Sequence, residues 1–259
     1  MSSLSAREIM LRPGVALPDW SVITRSVARD TLTAIYDVLD WDRKLAGIGP
    51  NEDRVWQAAV DQFVESGAGP VLDGITRATG LSRDEVKAAV ARLAQRDVLV
   101  LDESGATIVG AYPFSVRSTG HIVRVNDRAL NAMCAIDALG IGAMYGRDVM
   151  IDSACRHCEK GIAIATKAAG EAIAAVTPPG AVVWSGIHYA DNCAANSLCR
   201  VLVFFCSDDH LEAWRDARDP GAPGYRLTIE EALEVGKAIF RPIRSPASLP
   251  ASQGAAGNE

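Results

Sequence analysis

Asn131-Ala-Met-Cys-Ala-Ile-Asp-Ala-Leu139 reads as helix, and Cys134 and Asp137 stand three residues apart within it. That spacing predicts both side chains on one face, next to each other. A thiol beside a carboxylate can bind a soft metal and pass a proton. The pair also has a plainer reading. A buried cysteine acts as a small hydrophobe, and an acid on a helix surface is commonly just solvated. The surrounding chain has to decide between the two.

Upstream, His121-Ile-Val-Arg-Val125 alternates like a strand. Asn126 is placed to cap the helix that follows. Downstream, Gly140 and Gly142 weaken or end that helix, and Tyr145-Gly146 closes the turn. Val149-Met-Ile151, Ile162-Ala-Ile-Ala165 and Ala181-Val-Val-Trp-Ser185 read as strands. Cys199 precedes Val201-Leu-Val-Phe-Phe205, whose apolar run predicts a strand buried on both faces. Ser207 can cap a helix bearing Leu211 and Trp214. Thr228-Ile-Glu-Glu231 is a capping box that opens a last helix. The fold class expected is α+β, with residues 113–240 forming a domain of mostly antiparallel strands flanked by helices. Pro, Ala, Ser and Gly dominate residues 241–259, which predicts a disordered tail.

The first half reads differently. Residues 1–50 are expected to be an arm through residue 20 and then a helix, with Ile23, Val27, Ile35 and Leu39 at helical spacing. Residues 51–112 follow a winged-helix-like order. A helix carries Val55, Ala59 and Phe63, and a short helix runs through Ile75. The Ser82-Arg-Asp-Glu85 capping box opens a third helix, and a hairpin runs over 98–109. Such a unit invites a DNA-binding reading, but its charge opposes it. Residues 54–112 hold six basic and eight acidic residues, a balance of −2. Phosphate-facing modules draw their affinity from Lys and Arg. No nucleic-acid partner is expected, and micromolar, salt-dependent binding to random duplex would overturn that.

Bulk composition agrees with a globular protein: 49% hydrophobic, 22% charged, formal charge −6. No apolar run is long enough to span a membrane. The N-terminus lacks the pattern of a signal peptide. A cytoplasmic, reducing location is therefore expected. There, six cysteines do not default to disulfides. Cys134, Cys155, Cys158, Cys193, Cys199 and Cys206 all fall in the second half.

Three arrangements could use them. Cys134, Asp137 and Cys199 would put two soft thiolates over one carboxylate, a set suited to Hg(II). Cys155-Arg-His-Cys158 could be half a zinc site or a redox pair, with Cys193, Cys206 or His188 as further ligands. A Cys/His/Asp hydrolase would need one of four histidines, and none sits in a hydrolase-like signature.

Residues in several separate segments resemble the organomercurial (alkylmercury) lyase family. They are Val123-Arg-Val-Asn-Asp-Arg-Ala-Leu130, Cys134-Ala-Ile-Asp137, Gly146-Arg147, Ser153-Ala-Cys155, Ser197-Leu-Cys-Arg-Val-Leu-Val-Phe-Phe205 and Glu212-Ala-Trp214. The likeness follows element order over residues 54–240. It implies that Cys134 and Cys199 are the catalytic cysteines and Asp137 the catalytic aspartate, with Hg(II) held on the three as product. It implies a structural role for Cys155, and none for Cys158, Cys193 or Cys206. Arg200 departs from the family pattern. The expected reaction is protonolysis of a carbon–mercury bond, giving a hydrocarbon and Hg(II). No cofactor is required, exogenous thiols release the product, and a mercuric reductase is a possible recipient. The competing readings are a thiol-based soft-metal binder (a metallochaperone or a winged-helix metal sensor) and a lyase for another organometal, such as a tin or lead alkyl.

Overall fold

The computed structural model describes residues 7–244. A hairpin of β1 (Ile9–Arg12) and β2 (Val15–Leu17) comes first, then α1 (Ser26–Val38) and the single turn α2 (Trp41–Lys44). Helices α3 (Pro50–Ser66), α4 (Leu72–Thr79) and α5 (Arg83–Gln95) follow. Strands β3 (Leu99–Leu101), β4 (Ile108–Ala111), β5 (Phe114–Ser115), β6 (Ile122–Val125) and β7 (Arg128–Ala132) lead into α6 (Ala135–Tyr145). Next come β8 (Met150–Ala154), β9 (Gly161–Lys167), β10 (Ala172–Thr177) and β11 (Val182–Gly186). Two 3-10 turns, Ala194–Asn196 and Leu198–Val201, precede β12 (Leu202–Phe205), α7 (Asp208–Asp216), β13 (Gly224–Thr228) and α8 (Ile229–Phe240).

Eight strands form one sheet in the order β10-β9-β8-β6-β7-β5-β4-β3, and three form another, β12-β11-β13. Every pairing is antiparallel. This is the mixed helix and antiparallel-sheet class that the sequence predicts. The β3–β4 hairpin is not a free wing. Gly110 and Ala111 pair with Ser115 and Phe114, so the hairpin continues the eight-stranded sheet across the boundary expected at residue 112. Among the described residues no helix is long and apolar enough to cross a membrane.

Local signals account for the helix ends. Ser82 Oγ accepts from the Glu85 N–H at 3.3 Å, and Glu85 Oε2 accepts from the Ser82 N–H at 2.8 Å. Thr228 and Glu231 repeat the arrangement at α8. Helix α6 is the core of the domain, buried from Ala135 through Met144 and apolar on every side apart from Asp137. It lies against α8 at backbone contact. A Cβ on Gly140 would meet the Gly236 carbonyl oxygen at 2.6 Å, and one on Gly236 the Ile136 carbonyl oxygen at 2.7 Å. Gly140 and Gly142 therefore do not end the helix, as the sequence suggests; Gly140 lets two helices touch.

Four further expectations need correction. Residues 9–17 are not a loose arm but a hairpin that buries Ile9, Leu11 and Leu17. Asn126 does not cap α6. It sits at φ 54° in the tight turn between β6 and β7. Asn131 and Ala132, expected in the helix, instead extend within β7, where Leu130 and Ala132 bury one face of the strand. The capping residue is Cys134 itself. Residues Arg241–Arg244 are an ordered 3-10 turn, not the start of a tail. Ile243 is buried, and Arg12 Nη2 donates to its carbonyl at 2.6 Å. The rest of the expected tail, residues 245–259, lies outside the described residues.

Candidate active site

Strand β7 ends where the helix must start, and Cys134 occupies that junction. Its backbone is extended, and its Sγ accepts from the Asp137 N–H at 3.4 Å, doing the work of a capping oxygen. Cys134 and Asp137 are neighbours because one helical turn sets them so. Cys199 arrives from far along the chain, in the 3-10 turn that feeds β12. The two sulfurs and a carboxylate oxygen of Asp137 lie within 4.8 Å of one another, and all three residues are buried. Among the described residues no histidine joins them within ligand range.

The loop that delivers Cys199 is pinned by a group the sequence did not single out. The Asp97 carboxylate accepts from the Ala194 N–H at 2.8 Å, from the Tyr189 hydroxyl at 2.8 Å and from the Tyr112 hydroxyl at 3.2 Å. The Tyr112 oxygen in turn accepts from the Ala195 N–H at 2.7 Å. Lys44 Nζ lies 4.0 Å from Asp97 and 4.2 Å from the Tyr189 ring centre. Burial raises the Asp97 carboxyl above its ordinary value, against the pull of the Ala194 N–H and the Tyr189 hydroxyl. Asp97 and Tyr112 come from α5–β3 and β4–β5, so the first half of the chain fixes a residue of the second.

The surroundings favour the protonated form of all three groups. Burial pushes Asp137 up to about 8, and hydrogen bonds from Cys134 oppose this only in part. Among the described residues its Oδ2 has no hydrogen-bond partner. A helix N-terminus favours a negative charge, yet here desolvation outweighs it. Burial raises the Cys134 thiol as well. The Cys199 thiol is raised further, first by its hydrogen bond with Cys134 and then by burial.

Asp137 and Cys199 face an apolar cavity of about 80 Å³. Leu17, Ile35, Trp41 and Leu45 contribute to its wall, so the hairpin, α1 and α2 close it from the N-terminal side. Cys199 also borders a larger, polar recess of about 450 Å³ that contains His121, Arg117, Arg156 and Arg200. Cys199 thus stands between an apolar cavity and a recess lined by basic side chains.

Cys155 and Cys158 meet elsewhere, and with them Cys206 and His210. His188 and Cys193 do not join them. His210 escaped the sequence reading. The signal available was Cys206-x-x-x-His210, a spacing that spans the end of a strand and the first turn of a helix.

A family model for alkylmercury lyases matches residues 114–241. An alkylmercury lyase of Bacillus cereus is 29% identical over 180 residues, covering 69% of this chain and 77% of that one. One from Staphylococcus epidermidis is 29% identical over 172 residues, covering 66% and 74%. One from Pseudomonas putida is 28% identical over 167 residues, covering 61% and 76%. A crystal structure of the mercury-bound form of MerB2 superposes with a TM-score of 0.68 at 25% identity, covering 83% of this chain and 99% of that one. On sequence and fold together, the chain resembles the alkylmercury lyase family.

Proposed function

We propose that this chain cleaves the carbon–mercury bond of alkyl- and arylmercury compounds by protonolysis, with Cys134 and Cys199 taking the mercury and Asp137 transferring the proton. The observation that carries the reading is the convergence of two buried thiols and one buried carboxyl group, with Cys199 and Asp137 on the wall of an apolar cavity.

The proton balance follows from the resting state. A substrate R–Hg–X meets one thiol first. Sulfur bonds to mercury, X leaves, and the thiol proton leaves with it as HX. Coordination to mercury makes a thiolate accessible where burial alone would not. The second sulfur then adds to the same mercury and pushes electron density onto carbon. Asp137 gives its proton to that carbon as the C–Hg bond breaks, and the second thiol proton replaces the one Asp137 has lost. The sum is R–Hg–X plus two thiols going to R–H, HX and a mercury bis-thiolate. The metal enters as part of the substrate, and both protons come from the chain's own groups.

Burial serves this sequence in two ways. Apolar walls accept R and exclude water, which would solvate the carboxylate and drain the proton store. Low polarity also keeps Asp137 neutral at neutral pH, the state that a general acid needs. Exogenous thiols would then reach the mercury through Cys199, on the side of the polar recess, and carry it to an acceptor such as a mercuric reductase.

Headspace analysis of phenylmercury with excess thiol tests this. We expect one benzene per mercury consumed, with Hg(II) retained by the protein when external thiol is withheld. Tight mercury binding without benzene would instead make the chain a binding protein.

A further inference from the structure

Outside the candidate active site, one cluster of metal-ligating side chains has no part in the proposed chemistry. Strand β8 runs into Cys155, and the chain folds back over Cys155-Arg-His-Cys158-Glu-Lys160 into β9. The Cys155 N–H donates to the Lys160 carbonyl at 2.9 Å, and the Glu159 N–H donates to the Cys155 carbonyl at 2.9 Å. Glu159 takes φ 62°, a left-handed conformation that closes the knuckle. Across from it, β12 ends at Cys206, Ser207 caps α7, and His210 lies on the first turn of that helix.

The distances suit a metal. Cys158 and Cys206 Sγ are 3.7 Å apart, Cys155 Sγ and His210 Nδ1 are 3.7 Å apart, and Cys206 Sγ and His210 Nδ1 are 3.1 Å apart. Two sulfurs bound to one tetrahedral zinc at about 2.3 Å stand about 3.8 Å from each other. The four ligand atoms all fall within 4.8 Å. All six cysteines are free, so no disulfide accounts for the convergence. Arg156 and Lys160, less Glu159, give the knuckle a formal charge of +1, which offsets the −1 of three thiolates around a dication.

We infer that Cys155, Cys158, Cys206 and His210 form a structural zinc site. Three sulfurs and one imidazole complete a tetrahedron and leave no open position, the pattern of structural and not catalytic zinc. Mercury prefers two thiolates in a line and gains little from the imidazole. Binding releases the thiol protons as the zinc ion enters, with no change of oxidation state. The site joins the β8–β9 turn to the β12–α7 junction. The Arg156 N–H already donates to the Phe204 carbonyl at 2.9 Å, so the knuckle grips β12 itself. Cys199 feeds the other end of that strand. The zinc therefore braces the segment that carries one of the two mercury-binding sulfurs.

Elemental analysis of the full chain tests this, after growth without mercury and purification with reductant and without chelator. We expect about one zinc per chain. Cys199→Ser should keep it, whereas Cys158→Ser and His210→Ala should fall below about 0.1. Cys158 is exposed, so its replacement removes a ligand without opening the core. Cobalt(II) added to the reduced metal-free chain should give a tetrahedral spectrum with thiolate charge transfer, absent in Cys158→Ser. Wild-type protein with neither zinc nor a tetrahedral cobalt spectrum would overturn the assignment. So would zinc lost in Cys199→Ser but kept in Cys158→Ser, or a Cys158–Cys206 disulfide in the freshly reduced protein.

Discussion

Two clusters of sulfur lie at opposite ends of one short strand, β12. Cys199 and its partners are buried and apolar, and they include a carboxylic acid. Cys206 and its partners reach the surface at Cys158 and include an imidazole. Both sets would attract a soft metal. What separates them is what stands beside the thiols. A buried acid stores a proton and leaves room for a carbon substituent. Three thiols and an imidazole can surround an ion on four sides and leave no open position. On the proposed roles, burial and the remaining partner, not ligand type alone, separate the two functions.

The sharpest way to break the comparison is to remove one sulfur from each side. Cys134→Ala and Cys199→Ala should each reduce hydrocarbon release from phenylmercury to the buffer background, while zinc content and folding persist. Cys158→Ser should leave measurable cleavage and lower the thermal midpoint instead. If all three variants lose activity alike at temperatures where they are folded, the two clusters are one functional unit and the division fails.

His210→Ala, and zinc removal by chelator, should cost stability first. We expect a drop of about 5–10 °C in Tm, measured by calorimetry, with a smaller fall in turnover at low temperature. An unchanged Tm would mean that the cluster braces nothing.

Titration sharpens the contrast further. The folded state holds the Asp137 proton up to about pH 8, whereas the unfolded chain releases it in the ordinary carboxyl range. Between those limits the folded state binds more protons, so stability falls as pH rises toward 8 and levels off above it, by at most about 1.4 kcal/mol per pH unit. Asp137→Asn should remove that slope. Its Tm relative to wild type should rise between pH 5 and pH 8, as followed by circular dichroism. A difference independent of pH would show that Asp137 is not held protonated.

The smallest effect concerns the loop. Asp97→Asn keeps an acceptor for the Ala194 N–H but loses the charge and part of the tyrosine pairing. A few-fold loss of kcat is expected, roughly 1 kcal/mol of positioning, with mercury binding stoichiometry unchanged. Kinetics identical to wild type would show that the loop is held by its other contacts.

Local chemistry was readable in the chain, and distant chemistry was not. The capping boxes at Ser82 and Thr228 lie within four residues, and both occur as read. Cys134 and Asp137 share one turn, so their adjacency was legible too, although the strand before them was not. Strand β10 was missed because Ala172–Thr177 is an exposed edge with little apolar alternation. The first hairpin is three and four residues per strand and follows no helical period. Cys199 could be matched to Cys134 only by resemblance, since nothing in its own neighbourhood announces a partner 65 positions away. Asp97 and His210 had no such guide. Asp97 meets Ala194, and His210 meets Cys155, only through tertiary packing; the spacing from Cys206 to His210 was the one local signal.

The central claim is that Asp137 supplies the proton after two sulfurs have taken the mercury. Single-turnover reaction of Asp137→Asn with phenylmercury separates these steps, with mercury uptake followed by elemental analysis and benzene by headspace gas chromatography. The account predicts one mercury bound per chain, as in wild type, and benzene formed about 10²–10⁴-fold more slowly. Benzene released at the wild-type rate would contradict it.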